Sequence, residues 1–204
     1  MTIDGTRPFV LALGPELTKA APTVREHLAL VGGRSIYSGF VRHRWARGPA
    51  GWIASRILNL GGARGDRGEE RFDLRNEVVE HADGTVAMLW HRTHHMTGKP
   101  LSGIGLLRWD PSRRALIDSI GRRAWLEVEL VPSVENGAVV MASRRQWARV
   151  GGLRLPLPRF LFGTAETREW EESDGRLGLS LTLRHPLLGP YAGYEAILTP
   201  GERP

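Results

Sequence analysis

Two predicted strands lose their apolar character at residues that can move protons or hold a negative charge. In the run 85–96, one face is apolar until Arg92 and His94, because alternate residues of a strand share a face. The leucines at alternate positions of 177–183 likewise end in His185. Histidine exchanges protons near neutral pH, and a guanidinium stabilises developing negative charge. We therefore take Arg92, His94 and His185 as candidate catalytic residues.

Four further residues are candidate ligand contacts. Trp90 shares the predicted face of Arg92, and it and Trp147 carry large rings that suit the wall of a ligand cavity. Arg144 offers an anchor for an acidic ligand, and Tyr191 follows a C-terminal motif described below. These residues predict an apolar cavity with a few polar groups at its mouth. The alternative is that each strand simply emerges into water at these positions.

Other chemistries lack the residues that they need. His91, His94 and His95 form a cluster without a carboxylate at an obvious ligand spacing, so no metal site is predicted. Glu127 and Glu129 would lie about 7 Å apart on one strand face, a separation that suits an acid–base pair and equally a solvent-facing strand. The sequence contains neither a phosphate-binding loop motif nor a dinucleotide-binding motif. We expect no cofactor.

Short helices precede the strands that would position these residues. Apolar residues at spacings of three and four predict one or two helices over 15–30, interrupted at Pro22 and ended by Gly32 and Gly33. A short amphipathic helix is predicted over Trp52–Leu60, and the glycine-rich, charged run Gly61–Glu69 is predicted to be a loop.

The rest of the chain is predicted to form antiparallel strands joined by tight turns. Asp83–Gly84 and Asn136–Gly137 are typical hairpin turns. The run 149–162, with two glycines and two prolines, is predicted to be an ordered loop across one end of the sheet. The predicted strands are 35–45, 72–80, 85–95, 104–109, 116–120, 125–131, 138–147, 164–171, 177–184 and 191–198.

This pattern predicts an all-β fold, mainly an antiparallel β-barrel or strongly curved sheet of lipocalin-like form, with short N-terminal helices. Closure into a barrel is favoured because it removes exposed strand edges. We expect a single domain over 1–204, with a helical lead-in at about 15–31 and a barrel at about 34–199.

Composition limits the cellular context and the partners. The chain has no cysteine, and its start, Met1 to Phe9, lacks the pattern of a signal peptide. No stretch approaches the roughly 18 apolar residues of a membrane-spanning helix. We therefore expect a cytoplasmic protein and no membrane partner. The net charge of +6 comes mainly from arginines scattered among acidic residues, and no nucleic-acid-binding motif is present. The expected partner is a small-molecule ligand or substrate rather than nucleic acid.

The C-terminal third resembles a bacterial family of uncharacterised domains that occur alone or behind NAD(P)-binding reductase-like modules. The N-terminal part is similar in outline, and the resemblance extends over about Pro15–Leu198. The resemblance implies no established activity and no catalytic residues. It implies either a separate reductase partner or an independent role. A homodimer is the other possible protein partner. The matching residues are Leu28, Gly33, Tyr37–Gly39, Trp90, Arg92, Arg144–Trp147, Leu153, Pro156–Pro158, Glu166, Glu169, Glu171, His185–Gly189 and Tyr191.

Two functions follow from a cavity of this kind. The first is a cofactor-independent enzyme of small-molecule biosynthesis, a cyclase or isomerase, in which confinement of an apolar substrate supplies much of the rate. Arg92 would stabilise charge, and His94 or His185 would act as acid or base. The alternative is a non-catalytic binder or carrier of a hydrophobic or acidic ligand, anchored by Arg92 or Arg144.

Overall fold

The computed structural model describes residues 7–30, 33–57, 70–80, 84–95, 100–121 and 123–201. Its helices are α1 (Pro8–Leu13), a 3-10 helix (Gly14–Lys19), α2 (Pro22–Ala29), α3 (Gly48–Ile57) and α4 (Arg159–Phe162). Its strands are β1 (Arg34–Ala46), β2 (Glu70–Glu80), β3 (Val86–His95), β4 (Leu101–Asp110), β5 (Ala115–Ile120), β6 (Leu126–Glu135), β7 (Ala138–Val150), β8 (Leu153–Pro156), β9 (Thr164–Glu171), β10 (Leu177–His185) and β11 (Gly189–Pro200).

Ten of the strands close into an antiparallel barrel. The sheet order is β6-β5-β4-β3-β2-β1-β11-β10-β9-β7-β8, and the additional pairing of β6 with β7 joins the two ends. β8 lies outside this ring and pairs only with β7. Closure gives each barrel strand two hydrogen-bonded neighbours, so no long edge is left open to another chain. The prediction of an antiparallel barrel with short N-terminal helices is confirmed.

Two local predictions differ from the structure. The run 149–162 is not only a loop, because β7 continues to Val150 and turns back through Gly151 and Gly152 into β8. Both glycines have positive φ, which a tight turn needs, and Pro156 ends the short strand. α3 begins at Gly48, earlier than predicted, while the predicted loop 61–69 lies outside the described residues.

The N-terminal helices close one end of the barrel, which we call the closed end. Pro22 does not interrupt a helix but begins α2, where its fixed φ and missing N–H are tolerated. The Ala21 N–H donates to the Gly137 carbonyl at 2.8 Å, and the Thr23 N–H donates to the Glu171 carboxylate at 2.7 Å. Phe9 and Leu28 are fully buried. The helices therefore form an apolar plug.

α3, α4 and β8 lie at the opposite end, which we call the open end. The strand positions there are fixed by pairs such as Ala46–Ala192, Leu126–Ala148 and His185–Gly189. Between the two ends, alternate residues of each strand point into the barrel. Among the described residues, no helix combines the length and apolar character needed to cross a membrane.

Candidate functional site

A cavity of about 500 Å³ occupies the barrel between the plug and the open end. This volume lies within the usual range for small-molecule sites. Most of its wall is apolar and includes Met141, Leu181 and Leu183, while Ile53 of α3 and Phe162 of α4 lie at the mouth. A smaller set of polar side chains shares the wall: Arg92, His94, Asp118, Gln146, Thr167 and His185.

Arg92 is the cation of this cavity. Its guanidinium carbon lies 4.6 Å from the centre of the Trp90 ring, a distance typical of a cation–π contact. Its Nε is buried without a hydrogen-bond partner, and no hydrogen bond or ion pair joins the guanidinium to any residue that the structure describes. A planar group with five donors normally binds carboxylates or other oxygen acceptors. Arg92 is therefore available to a ligand.

Trp90 separates this cation from the plug. Its ring stacks on Phe9 of α1 with centroids 6.3 Å apart, and its inward face lines the cavity. Its indole Nε1 is buried without a partner among the described residues. Trp90 thus provides an apolar wall with one unused donor, and its predicted role as a ligand contact stays a prediction.

Asp118 is a buried carboxyl on the same cavity wall. Its side chain forms no hydrogen bond with the described part of the chain, and Oδ1 is buried. Burial raises its pKa, an effect that the positive charge of Arg92 opposes in part. A Cβ at residue 105 would lie 2.6 Å from Oδ1, so Gly105 gives Asp118 room against β4.

A second buried carboxyl, Glu169, lies towards the closed end. Both of its oxygens lack hydrogen bonds to the described residues, and Nε2 of His27 on α2 lies 3.7 Å from one of them. Burial raises the pKa of Glu169 to about 8 and lowers that of His27 to about 3. His27 instead contacts Asn76 at 3.1 Å and Ser35 at 3.2 Å. Both members of the pair are therefore neutral near pH 7.

His94 lines the cavity but is also held by structural contacts. Its Nδ1 lies 2.8 Å from the Glu70 carboxylate, which also pairs with Arg44. Its ring packs on Phe72 and Tyr194. Burial lowers the pKa of His94, and the Glu70 carboxylate opposes this only in part. Its predicted role as an acid or base stays a prediction.

His185 and Tyr191 lie at the mouth and hold its backbone. The Phe160 carbonyl accepts a hydrogen bond from His185 Nε2 at 2.8 Å, and the Leu187 N–H donates to Nδ1 at 3.2 Å. Because a carbonyl only accepts and an N–H only donates, this is the neutral ring with its proton on Nε2. The Tyr191 hydroxyl donates to the Phe162 carbonyl at 3.2 Å. Both residues line the cavity, and their predicted roles are untested.

Arg144 and Trp147 lie on the outer wall, not in the cavity. Arg144 pairs with Glu129 and donates to the Arg113 carbonyl at 2.8 Å. Trp147 packs under the Arg154 guanidinium at 3.8 Å. The structure therefore does not bring these two residues together with Arg92. Their role as ligand contacts would require a second site on the outside of the barrel.

The glutamates on β6 also face outward, but they are buried. Glu127 is ion-paired with Arg149 at 3.1 Å and with Arg154 at 2.8 Å. Glu129 is fully buried beneath Arg144. They belong to neither a solvent face nor the cavity, because long arginine side chains cover them.

The histidine cluster is divided between the two faces of β3. His94 points inward, whereas His95 contacts Asp73 at 2.6 Å and His91 lies 3.9 Å from Glu77 on the outer face. Alternation along a strand requires this division.

Sequence reasoning missed Asp118 as a site residue and gave Glu169 no role. Asp118 stands at an alternate position of the apolar run Leu116–Ile120, and Glu169 shares a face with Ala165 and Thr167. The signal that identifies both is a charged residue on a strand face whose other residues are uncharged and point inward.

Comparisons with known proteins agree with the resemblance to a family of uncharacterised domains, but they add no activity and do not bear on an association with reductase-like modules. The family model described as "Domain of unknown function (DUF4166)" matches residues 21–198. "Uncharacterized protein YndH" of Bacillus subtilis (strain 168) is 25% identical over 141 residues, which cover 68% of this chain and 69% of that protein. Because the family model covers most of the chain, this protein belongs to the DUF4166 family.

Proposed function

We propose that the barrel binds a small, mostly apolar molecule whose single acidic or carbonyl oxygen group is held by Arg92. The observation that carries this proposal is the unpaired guanidinium of Arg92 in a cavity of about 500 Å³ with mainly apolar walls. Arg92 is partly exposed, but its Nε is buried, and a buried donor without an acceptor is costly. A ligand that supplies an oxygen acceptor and covers the apolar wall would offset that cost.

The mouth supports the same function. Ile53, Leu161 and Phe162 line the cavity where it meets solvent, so a ligand entering there meets apolar surface throughout. Among the polar cavity groups other than Arg92, Asp118 has no charge partner in the described chain and His94 is already bound to Glu70. Gln146 and Thr167 are neutral hydrogen-bonding side chains. The cavity thus favours one polar group on an otherwise apolar ligand.

Filling the cavity should abolish this binding. Gly103 lines the cavity beside Arg92, its pairing partner on the neighbouring strand, and a Cβ there meets no atom within 4 Å. Gly103→Leu therefore has room to fold while its side chain occupies ligand space. We expect affinity for both decanoate and decan-1-ol, measured by titration calorimetry, to fall by at least about tenfold.

The control for that variant is Ser102→Leu, which adds the same side chain at the exposed neighbouring position. It should bind both probes as the wild type does. Equal binding by Gly103→Leu and the wild type, or no wild-type binding of either probe, would contradict the proposal.

A cofactor-independent cyclase or isomerase is the second candidate function. The observation that favours it is Asp118, a buried carboxyl with a raised pKa on the same wall as Arg92. Such a group can donate a proton to a substrate oxygen or carbon while the guanidinium stabilises negative charge.

The two candidates predict different behaviour of Asp118→Asn towards a molecule that the wild type retains from an extract of its source cells. If the protein is an enzyme, this variant still binds the molecule but no longer converts it. The conversion is followed by NMR with the molecule in many-fold excess over the protein. A binder converts nothing, with or without Asp118.

A further inference from the structure

The open end exposes an unusual amount of apolar surface. Of the fourteen large apolar side chains that are exposed in the described chain, eleven lie on α3, the β5–β6 turn, the β7–β8 hairpin, α4 or the β10–β11 turn. We call these eleven residues the rim. The rim consists of Trp52, Ile53, Trp125, Val150, Leu153, Leu155, Phe160, Leu161, Phe162, Leu187 and Leu188. Soluble proteins seldom concentrate so much apolar surface without a binding role.

The rim is continuous with the cavity. Ile53, Trp125, Leu161 and Phe162 are exposed and also line the cavity mouth. The apolar surface therefore runs from outside the barrel into its interior without a polar barrier at these four residues. An apolar ligand on the rim is already in contact with the cavity wall.

Hydrogen bonds hold the rim side chains in their exposed positions. His185 joins the backbone at Phe160 to that at Leu187, and Tyr191 binds the Phe162 carbonyl. Leu187 and Leu188 remain 87% and 65% exposed at the tip of the β10–β11 turn. The barrel fixes the backbone of this turn, and the two leucine side chains therefore stay at the surface and do not pack onto the core.

Cations accompany this apolar surface. Arg47, Arg123, Arg159 and Arg184 are exposed on the elements of the open end, and none forms an ion pair with a residue that the structure describes. Apolar side chains beside unpaired arginines are the combination that attaches proteins to an anionic bilayer. Docking of two copies through this end would instead bring like charges together.

We propose that the rim docks onto the surface of a bilayer containing anionic lipids, with the cavity mouth facing the lipid. The apolar side chains enter the headgroup boundary, and the arginines contact lipid phosphates. An apolar ligand then passes between bilayer and cavity without crossing water. This peripheral contact departs from the expectation of no membrane partner, which rested on the lack of a spanning segment. The docking goes beyond ligand binding in the cavity and does not depend on it, whereas the passage of a ligand rests on the proposed function.

Vesicle flotation tests the proposal directly. Wild-type protein should float with vesicles of phosphatidylcholine and phosphatidylglycerol at about three to one, and much less with pure phosphatidylcholine or in about 1 M salt. Leu187→Ser combined with Leu188→Ser should lower partitioning onto the anionic vesicles by at least about tenfold. Arg123→Gln combined with Arg184→Gln should also weaken it, through the loss of charge.

The matched control is Phe40→Ser, which removes a half-exposed apolar side chain from the barrel wall away from the rim. It should float like the wild type. An unchanged midpoint of urea unfolding verifies that the barrel of the leucine double variant is intact, and it separates this test from that of the cavity.

Three results would overturn the proposal. The first is a wild type that does not float with anionic vesicles, and the second is equal flotation of the leucine double variant and the wild type. The third is a wild-type dimer in sedimentation velocity that the leucine substitutions dissociate, without vesicle binding, because the rim would then bind a second copy.

Discussion

Replacing Glu169 with glutamine should make the protein increasingly more stable than the wild type as the pH rises from about 5 to about 8. Burial raises the pKa of Glu169 to about 8, from a usual value of 4.5. The folded wild type therefore keeps a proton that the unfolded chain releases across this range. Its free energy of unfolding falls by about 1.4 kcal/mol per pH unit from this group alone. Glutamine does not ionise and removes that loss.

The difference between variant and wild type isolates Glu169 from other titrating groups. His27 acts in the opposite sense, because burial lowers its pKa to about 3; its contribution rises with pH up to about 6.5 and then stays constant. That contribution cancels where both proteins retain His27. The difference should reach several kcal/mol and level off above about pH 8.

Urea unfolding at steps between about pH 5 and about pH 9 measures this difference. The control is Glu166→Gln, which changes an exposed carboxylate on the outer face of the same strand and should give no slope. A pH-independent offset added to the slope would reflect the altered hydrogen bonding of the amide. A difference in unfolding free energy with no slope at all between these pH values would contradict a neutral, buried Glu169.

Replacing Arg92 with methionine should selectively remove the recognition of acidic ligands. Methionine preserves much of the side-chain volume and the contact with Trp90 but removes the charge and every donor. A hydrogen bond to a charged group contributes about 1.5–3 kcal/mol. The affinity for decanoate should therefore fall by about tenfold to a hundredfold.

Decan-1-ol provides the matched ligand, because it has the same chain without the charge. Its affinity should change by less than about threefold in Arg92→Met. Arg145→Met is the protein control, because Arg145 is exposed on the outer wall and pairs with no carboxylate in the described chain. Equal losses for both ligands would indicate a damaged cavity, and unchanged decanoate binding would show that Arg92 is not the anchor.

The inward face of β3 was predictable because alternation extends without interruption over the whole strand. Trp90, Arg92 and His94 all reach the cavity, as the period of two requires. The hairpins were predictable for a similar reason, since turns such as Asn136–Gly137 favour positive φ at both residues. Local patterns of this kind act over only a few residues.

Trp147 shows where alternation fails. Counting in twos from the inward Met141 would also place Trp147 inward. The pairing of β6 with β7 shifts between Glu129 and Leu130, and Arg144 is left as the extra residue of a bulge. One added residue exchanges the faces of the strand beyond it. Gln146 therefore enters the cavity, and Trp147 lies outside.

The rest of the site depends on contacts between distant parts of the chain. Barrel closure brings β1 against β11 and β7 against β9, and no tight hairpin turn specifies either pairing. That closure places Glu169 of β9 in the same barrel interior as Arg92, whereas Asp118 belongs to the consecutive strands β3, β4 and β5. A sequence pattern also does not determine whether facing apolar side chains meet or leave a cavity, because this depends on summed side-chain volumes across many strands.

Native mass spectrometry after incubation with an extract of the source cells tests the central claim that the barrel interior binds a small molecule. The wild type should retain a non-covalent adduct that is lost on denaturation, and Gly103→Leu should retain none. A clean apo mass for the wild type, both with the extract and with decanoate, would contradict the claim.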